Sequence, residues 1–508
     1  MIPVLNDVAM READRITTEE LGVPSLVLME QAAAAVTATL LERYPDRQAV
    51  LVLCGPGNNG GDGLAIARQL HAHGVGVEAL MLADPGGLSA DAARQFEIAR
   101  RFGVRVRRPA EIERPLRLNR ADVVVDAMFG TGLTRPLEGY WAEVVAAVHG
   151  AEAPVVAVDL PSGLVAGSGG VPPVAVEANL TVTFGAPKVA HVLPPACWSC
   201  GDVAVADIGI PPWVLDDLAI MVLLEAADVA GWLPTRLPDA HKGHFGHLLV
   251  VAGRFGRAGA AALAARGAVA AGVGLVTVAT PRSAVNAVQS LVPEAMVDGL
   301  AEDGDGVCTG EGILPLLSRA TAVAVGPGLG LGEGPRTLLT SLLGAWQGPL
   351  LLDADALTLA APNLRGLQRK AETVLTPHPG ELARLLDCET AQVVADRVAC
   401  ALKAAKSSHS VVLAKGARTL IAAPTGRLKV IPTGGPGLAT GGSGDVLTGV
   451  VGALLAQGLT AVEAAAAGAY LHGLAGDLAG EDYSSAVPAG ALATYLPRAE
   501  QQVRNAGR

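Results

Sequence analysis

Short, wholly apolar runs that stop abruptly at glycine-rich loops recur along this chain, and few architectures accept that pattern. In the first half they are QAVLVLCG, VGVEALMLA, ADVVVDAMFG, APVVAVDLPSG and ANLTVTFGAP. In the second they are HLLVVAG, GLVTVAT, ATAVAVGPGLG, GPLLLDADAL, ETVLTPHPGE and SVVLAKGARTLIAAP. A strand that is apolar on both faces must be covered on both, and parallel strands need crossover segments to cover them. Helical patterns such as GLAIARQLHAHG lie between the runs. The rhythm therefore predicts an α/β protein with doubly wound parallel sheets. At 508 residues the chain exceeds what one hydrophobic core usually serves. The rhythm lapses into a connecting stretch near Asp216 to Pro238. Two αβα domains are predicted, residues 1–220 and 221–508, with no residue-by-residue repeat between them.

Composition removes several function classes. A net charge of −11 argues against a binder of nucleic-acid phosphates. The opening MIPVLNDVAMREADRITTEE is too polar for a signal peptide, and the alanine-rich runs are broken by Gly, Glu or His, so no membrane span is expected. Six cysteines in so long a chain do not make a disulfide framework. Cys197 and Cys200 form a CxxC that lacks the second pair a zinc site needs. A cytoplasmic protein acting on small molecules is expected, and its apolar make-up suggests a homo-oligomer.

Ligands of such sheets bind beyond the carboxyl ends of the strands, where the polar motifs of this chain fall. CGPGNNGGDGLAIARQL follows the first strand and opens a helix; its glycines permit close approach and its amides can cradle a phosphate. Asn58 and Asn59 add amide groups that suit a cation or a ligand, the plain alternative being a turn rich in residues tolerant of positive φ. Asp126 ends VVVDAMFG and Asp159 ends VVAVDLPSG, with Ser162 three residues on. A carboxylate at a buried strand end is costly unless paired, metal-bound or protonated. Asn59, Asp126, Asp159 and Ser162 make an all-oxygen set suited to a hard cation.

In the second half, GLATGGSGDVLTGVVGALLAQG (Gly437 to Gly458) places Asp445 where a glycine loop becomes a helix. Helix capping explains an acid there, and so does catalysis. Asp353 and Asp355 in LLDADAL fit magnesium handling or loop capping alike. His378 in TPHPGE, standing alone, reads as a satisfied loop histidine.

The set NNGGDG, DAMFGTGL, VDLPSGL and TFGAPKVAH, with MREADRITTEELGVPSLVLMEQAA before it, resembles the NAD(P)H-hydrate epimerase family. That resemblance implies a Rossmann-like domain. It implies hydrate contacts at Asn58, Asn59, Gly60, Gly61 and Asp62, at Gly130, Thr131, Gly132, Leu133, Thr134, Arg135 and Pro136, and at Asp159. It further implies potassium at Asn59, Asp126 and Ser162, with Asp159 as acid/base. Ala33 stands where the family generally has glycine, which implies slightly altered helix packing.

The ordered motifs HKGHFGHLLVVAG, GPGLG, DADAL, TPHPGE, KGARTL and GGSGDVLTG resemble the ADP/ATP-dependent NAD(P)H-hydrate dehydratases, with a ribokinase-like fold. Gly435 departs from the asparagine common there. This resemblance implies hydrate contacts at Ala260, Gly328, His378 and Asp445. It implies adenine-nucleotide contacts at Lys415, Gly416, Ala417, Arg418, Thr419 and Gly444, with Mg2+ in attendance. The implied chemistry phosphorylates the hydrate's hydroxyl from ADP or ATP and then eliminates phosphate. Asp445 takes the hydroxyl proton, and the amides of Gly442, Ser443 and Gly444 stabilise the moving phosphoryl group. Such a chain would restore both epimers of hydrated NADH or NADPH. A small-molecule kinase, for a sugar or vitamin precursor, fused to an accessory ligand-binding domain is the competing reading.

Overall fold

The computed structural model describes residues 1–112, 116, 118, 121–133 and 135–507. The chain divides into two compact units, one from Ile2 to Met221 and one beginning at Val222.

The amino-terminal unit contains a parallel sheet of β1 (Ala49–Cys54), β2 (Gly76–Met81), β3 (Arg105–Arg107), β4 (Val123–Ala127), β5 (Val155–Val158), β6 (Leu180–Phe184) and β7 (Asp202–Ala206). Their order is β3-β2-β1-β4-β5-β6-β7. The order reverses between β1 and β4, which opens the crevice where ligands of such sheets bind. The Val and Leu side chains of β1 and β4 are buried on both faces, each contributing about 1.5–3 kcal/mol. The helix Asn58–Ala72 springs from β1 after three residues. It can sit so close because glycine stands at the contacts: a Cβ on Gly60 would lie 2.0 Å from the Gly55 carbonyl oxygen.

In the second unit the strands are β8 (His247–Val251), β9 (Leu275–Pro281), β10 (Met296–Leu300), β11 (Ala322–Val325), β12 (Leu350–Leu352), β13 (Thr373–Leu375), β14 (Val411–Ala414), β15 (Leu420–Ala422) and β16 (Leu428–Val430). They run in the order β16-β15-β14-β13-β12-β11-β8-β9-β10. From β14 to β10 neighbouring strands are parallel, and the order reverses between β11 and β8. The helices Ala258–Ala270 and Ser443–Ala456 pack backbone to backbone, which sets the loop before Ser443 at the strand ends. A Cβ on Gly449 would meet the Ala264 carbonyl oxygen at 1.8 Å, and one on Gly267 the Val446 carbonyl oxygen at 2.3 Å.

Two expectations need correction. SVVLAKGARTLIAAP, read as one strand run, is a hairpin in which β14 pairs antiparallel with β15. An antiparallel return needs only a short turn, and the KGAR glycine supplies it with φ +142°. The stretch from Asp216 to Pro238 is not bare connection; it holds the end of helix Pro212–Leu218 and the helix Ala226–Trp232. Seven residues are too few for helical periodicity to register. Among the described residues one helix, Ser25–Arg43, is long and apolar enough to cross a membrane, with a mean hydropathy of 1.2. Its Leu28, Ala32, Ala33, Val36 and Leu40 join the core of the amino-terminal unit, which accounts for its apolar face.

Gly449→Ala should cost about 1–3 kcal/mol by overpacking the helix pair. Urea denaturation followed by circular dichroism, with Gly480→Ala as a control at a helical glycine free of neighbouring atoms, measures the loss.

Candidate active sites

At the β1/β4 switch point of the amino-terminal unit lies a cavity of about 710 Å3. Asn58, Asn59, Asp62, Gly130, Thr131, Gly132, Leu133 and Asp159 line it, together with Asp14 and Lys188. The residues singled out in the sequence form part of its lining, and Asp14 and Lys188 add to it. Gly60 and Gly61 are buried packing positions in the first helical turn. Arg135 and Pro136 are exposed and outside the cavity lining. Thr134 lies outside the described residues.

Asp159 follows β5 with φ +64°, a left-handed conformation that aspartate adopts at a cost. Lys188, 1% exposed, donates from Nζ to Asp159 Oδ1 at 2.6 Å and to Thr183 Oγ1 at 2.8 Å. Thr183 Oγ1 donates in turn to Asp159 Oδ1 at 3.0 Å. Burial favours the neutral acid, but the lysine outweighs it and holds the Asp159 carboxyl below its ordinary value. Two carboxyls have no ion pair among the described residues. Burial pushes Asp14 up to about 6, Lys188 opposing and Asp159 adding to the rise. Asp62 is pushed well above the carboxylate range by burial and by the charges of Asp159, Asp14 and Asp91. His191, buried beside Lys188, is driven down to about 3 and stays neutral; its Nδ1 accepts from the Lys188 backbone N–H at 2.9 Å.

Behind the cavity, Asp126 is fully buried. Its oxygens accept from Ser162 Oγ at 2.6 Å, Ser162 N–H at 2.8 Å and Met128 N–H at 3.2 Å. Burial nonetheless lifts its carboxyl to about 6, and no ion pair to it occurs among the described residues. Asn59 and Asp159 meet at Gly130, where a Cβ would lie 3.1 Å from Asn59 Oδ1 and 3.2 Å from Asp159 Oδ2. Asn59 Nδ2 is buried without a hydrogen-bond partner. Asp126 and Ser162 are thus in contact, with Asn59 on the other side of the same loop.

The second site gathers at the ends of β12, β13 and β14 and the start of helix Ser443–Ala456. Asp445 occupies the first turn of that helix, after Gly442 at φ +93°. Burial raises its carboxyl to about 7, the charges of Asp353 and Asp355 adding to the rise and Lys415 opposing it. The Ser443 N–H is engaged by the Thr440 carbonyl at 3.4 Å, contrary to the expectation that it faces a ligand; the N–H groups of Gly442 and Gly444 donate to no protein atom among the described residues. His472 Nε2 lies 2.9 Å from the Ser443 carbonyl oxygen. Burial lowers its ring to about 4, so it is neutral and donates through Nε2.

Lys415 is brought to Asp445 side by side, not kept to the hairpin turn. Its Nζ pairs with Asp353 Oδ1 at 2.6 Å, and burial is overcome by Asp353 and Glu381, which raise it. A Cβ on Gly444 would lie 3.4 Å from that Nζ. Gly416, Ala417, Arg418 and Thr419 form the turn, tied down by Arg397, which donates to the carbonyls of Ala417 and Arg418 at 2.6 and 2.7 Å. His378 caps the helix Pro379–Leu386: its Nδ1 accepts from Gly380 N–H at 3.1 Å and its own N–H donates to Glu381 Oε2 at 2.9 Å. Ala260 and Gly328 face each other, a Cβ on Gly328 falling 3.1 Å from Ala260 Cβ. Asp355 caps the GPGLG loop, accepting from Gly330 N–H at 2.8 Å.

Residue-level reading missed Lys188, Thr183 and Asp14 in the first site, and Thr376, Thr448, Glu381 and His472 in the second. Lys188 stood inside a quoted motif, TFGAPKVAH; a lysine in an apolar run was the available signal. The threonines carry no signal, since each lies on an element whose neighbours are set only by folding.

Two αβα units, each with ionisable groups gathered at the carboxyl ends of its parallel strands, define an enzyme with two small-molecule sites. Comparison with known proteins agrees. The family model "NAD(P)H-hydrate dehydratase" matches residues 248–498, and "YjeF-related protein N-terminus" matches residues 25–190. A bifunctional NAD(P)H-hydrate repair enzyme of Moorella thermoacetica is 41% identical over 96% of this chain and 94% of its own. One from Escherichia coli is 34% identical over 98% and 93%. An ADP/ATP-dependent NAD(P)H-hydrate dehydratase of Bacillus subtilis, co-crystallised with ATP and Mg2+, is 29% identical over 56% of this chain and 99% of its own, with a TM-score of 0.48. This chain belongs to the bifunctional NAD(P)H-hydrate repair enzymes, and is a two-activity enzyme of coenzyme repair.

Lys188→Met leaves Asp159 buried without its counter-charge. It should destabilise the amino-terminal unit by about 3–5 kcal/mol, read from the lower-stability transition in denaturant; Lys188→Met with Asp159→Asn should recover most of that loss.

Proposed function

We propose that residues 1–220 invert the hydrated carbon of NAD(P)H-hydrate and that residues 221–508 dehydrate the S epimer, with ADP or ATP as phosphoryl donor. The observation that carries the reading is the carboxyl of Asp445, poised near 7, beside an ammonium and two unpartnered backbone N–H groups. A general base works best with a pKa near the operating pH.

Hydroxide is a poor leaving group and phosphate a good one. In the second unit the substrate hydroxyl loses its proton to Asp445 while its oxygen attacks the terminal phosphoryl group of the nucleotide. AMP leaves from ADP with the bonding pair. The Gly442 and Gly444 amides and the helix N-terminus hold the charge on the phosphoryl oxygens in transit. The ring nitrogen then pushes out phosphate with the C–O electron pair, and loss of a proton from the adjacent ring carbon restores NAD(P)H. Lys415 neutralises the phosphoryl charge, the turn Gly416–Thr419 seats the adenine nucleotide, and Ala260, Gly328 and His378 contact the hydrate.

Asp353 and Asp355 do not suit a protein cage for Mg2+. Both Asp353 oxygens are occupied by Lys415, Thr376 and Thr448, and Asp355 holds Gly330. Mg2+ enters this reading as the nucleotide's own counter-ion, the usual mode for a cation that keeps its waters.

In the first unit Asp159 is the acid/base that exchanges a proton with the substrate, and Lys188 keeps it ionised in the resting site. The hydrate's phosphates lie over the Asn58–Asp62 turn and the segment Gly130–Leu133. A potassium ion fits Asn59, Asp126 and Ser162: the donors are hard oxygens, and Asp126 is a buried carboxylate with no cation beside it. Bound there, it would supply the charge that keeps Asp126 ionised and the Gly130 loop in place. We place the enzyme in the cytoplasm as a homo-oligomer, for which exposed Trp198 and Trp213 offer apolar surface.

The competing kinase reading predicts a stable phosphorylated product; the repair reading predicts recovery of the reduced-nicotinamide absorbance from mixed hydrate epimers only when ADP or ATP is present. In that assay Asp445→Asn should keep nucleotide binding and lose at least ~10²-fold in dehydration. Asp159→Asn should leave the S epimer consumed at the wild-type rate and the R epimer unused, read by separating the two epimers chromatographically.

A further inference from the structure

Asp353 ends β12 and is 1% exposed, yet its carboxylate is met by donors from three different elements. Lys415, just past β14, reaches Oδ1 at 2.6 Å. Thr376, just past β13, donates to Oδ1 at 2.7 Å. Thr448 donates to Oδ2 at 2.6 Å, and Thr448 lies on the helix that carries Asp445, one turn further on. The backbone here is shaped for the purpose. Ala354 takes φ +48°, and Gly326 comes so near that a Cβ would lie 1.8 Å from the Asp353 carbonyl oxygen. Sheet stability alone does not call for this node, because well-packed apolar residues often serve as well as a buried ion pair.

We propose that Asp353 is a positioning residue for phosphoryl transfer: it holds the Lys415 ammonium beside Asp445 and, through Thr448, fixes that ammonium to the helix that carries the base. The proposal rests on the dehydratase reading of this unit and adds to it a residue that contacts no ligand. It also gives the LLDADAL aspartates separate tasks, Asp353 holding the lysine and Asp355 holding the GPGLG loop.

The charged groups that act on Asp445 are Asp353, Lys415 and Asp355. Glu381, on the helix Pro379–Leu386, acts on Lys415. His472, on the helix Ala461–Asp482, is neutral, and at Gly442 the helices Ala258–Ala270 and Ala489–Ala506 present Leu263 and Ala489. A rate that needs ionised Asp445 rises with pH through the pKa of that group. Removing the negative charge of Asp353 moves this limb to lower pH; removing the positive charge of Lys415 moves it to higher pH. Both shifts follow from the charges alone; the positioning role is read from kcat in Thr448→Val, which keeps every charge and breaks the link between Asp353 and the helix of Asp445.

The test uses the full-length enzyme with the S epimer of NADH hydrate and ADP, measuring kcat and kcat/KM from pH 5 to 9. Asp353→Asn should lose about 10- to 100-fold in plateau kcat, with the acid limb displaced downward by about one pH unit. Lys415→Met should displace that limb upward. Thr448→Val, which keeps every charge, should lose less kcat and leave the limb where it is, and it serves if Asp353→Asn does not fold. A wild-type kcat in Asp353→Asn or in Thr448→Val overturns the proposal, as does a limb in Asp353→Asn that stays put or moves upward. A wild-type enzyme that leaves the hydrate untouched at every pH strikes the dehydratase reading instead.

Discussion

Both units turn on one constraint: a carboxylate at the end of a buried parallel strand must find a counter-charge or give up its own. Water is absent from such a place, and the protein interior does not replace the lost hydration cheaply. Each unit answers with a lysine delivered from another strand end. Lys188 reaches Asp159 from beyond β6, and Lys415 reaches Asp353 from beyond β14, both at 2.6 Å. The parallel sheet makes this easy, because all its strands end on the same side.

The remaining acids near each pair then fall into a different state. With one lysine already committed, Asp14 and Asp62 in the first unit and Asp445 in the second sit beside an ionised neighbour and resist ionising themselves. An acid that stays charged and one that exchanges its proton near neutrality are what acid–base chemistry needs in one pocket. In the proposed reactions the first unit works through the acid that stays charged, Asp159, and the second through the one near neutrality, Asp445. The chemistry is chosen by what surrounds the acids: asparagine amides and a buried oxygen set in one case, a glycine loop opening a long helix in the other.

Glycine supplies the second constraint, and only at particular places. Gly60 lets the first helix sit on its strand, and Gly449 and Gly267 let two helices touch at the backbone. Those contacts fix where the helix N-termini point, so they decide where a phosphate can be held. A stability change at Gly449 is therefore also a change in the geometry of the loop that carries Asp445.

By itself the sequence determined the architecture class, the two-part organisation and the motifs at the strand ends, because apolar runs and glycine punctuation are local signals that each βα unit repeats. It also marked Asp126, Asp159, Ser162 and Asp445, whose position after a strand or before a helix is visible in a few adjacent letters. The tertiary structure alone decided which groups meet. Asp159 and Lys188 are 29 residues apart, Asp353 and Thr448 are 95 apart, and no local pattern announces either contact. The hairpin at KGARTL, the capping duty of Asp355 and the exclusion of Arg135 and Pro136 from the cavity lining follow from the same cause. Ionisation is set by burial and by the nearest charge in space, and both come into being only when distant segments of the chain close around the site.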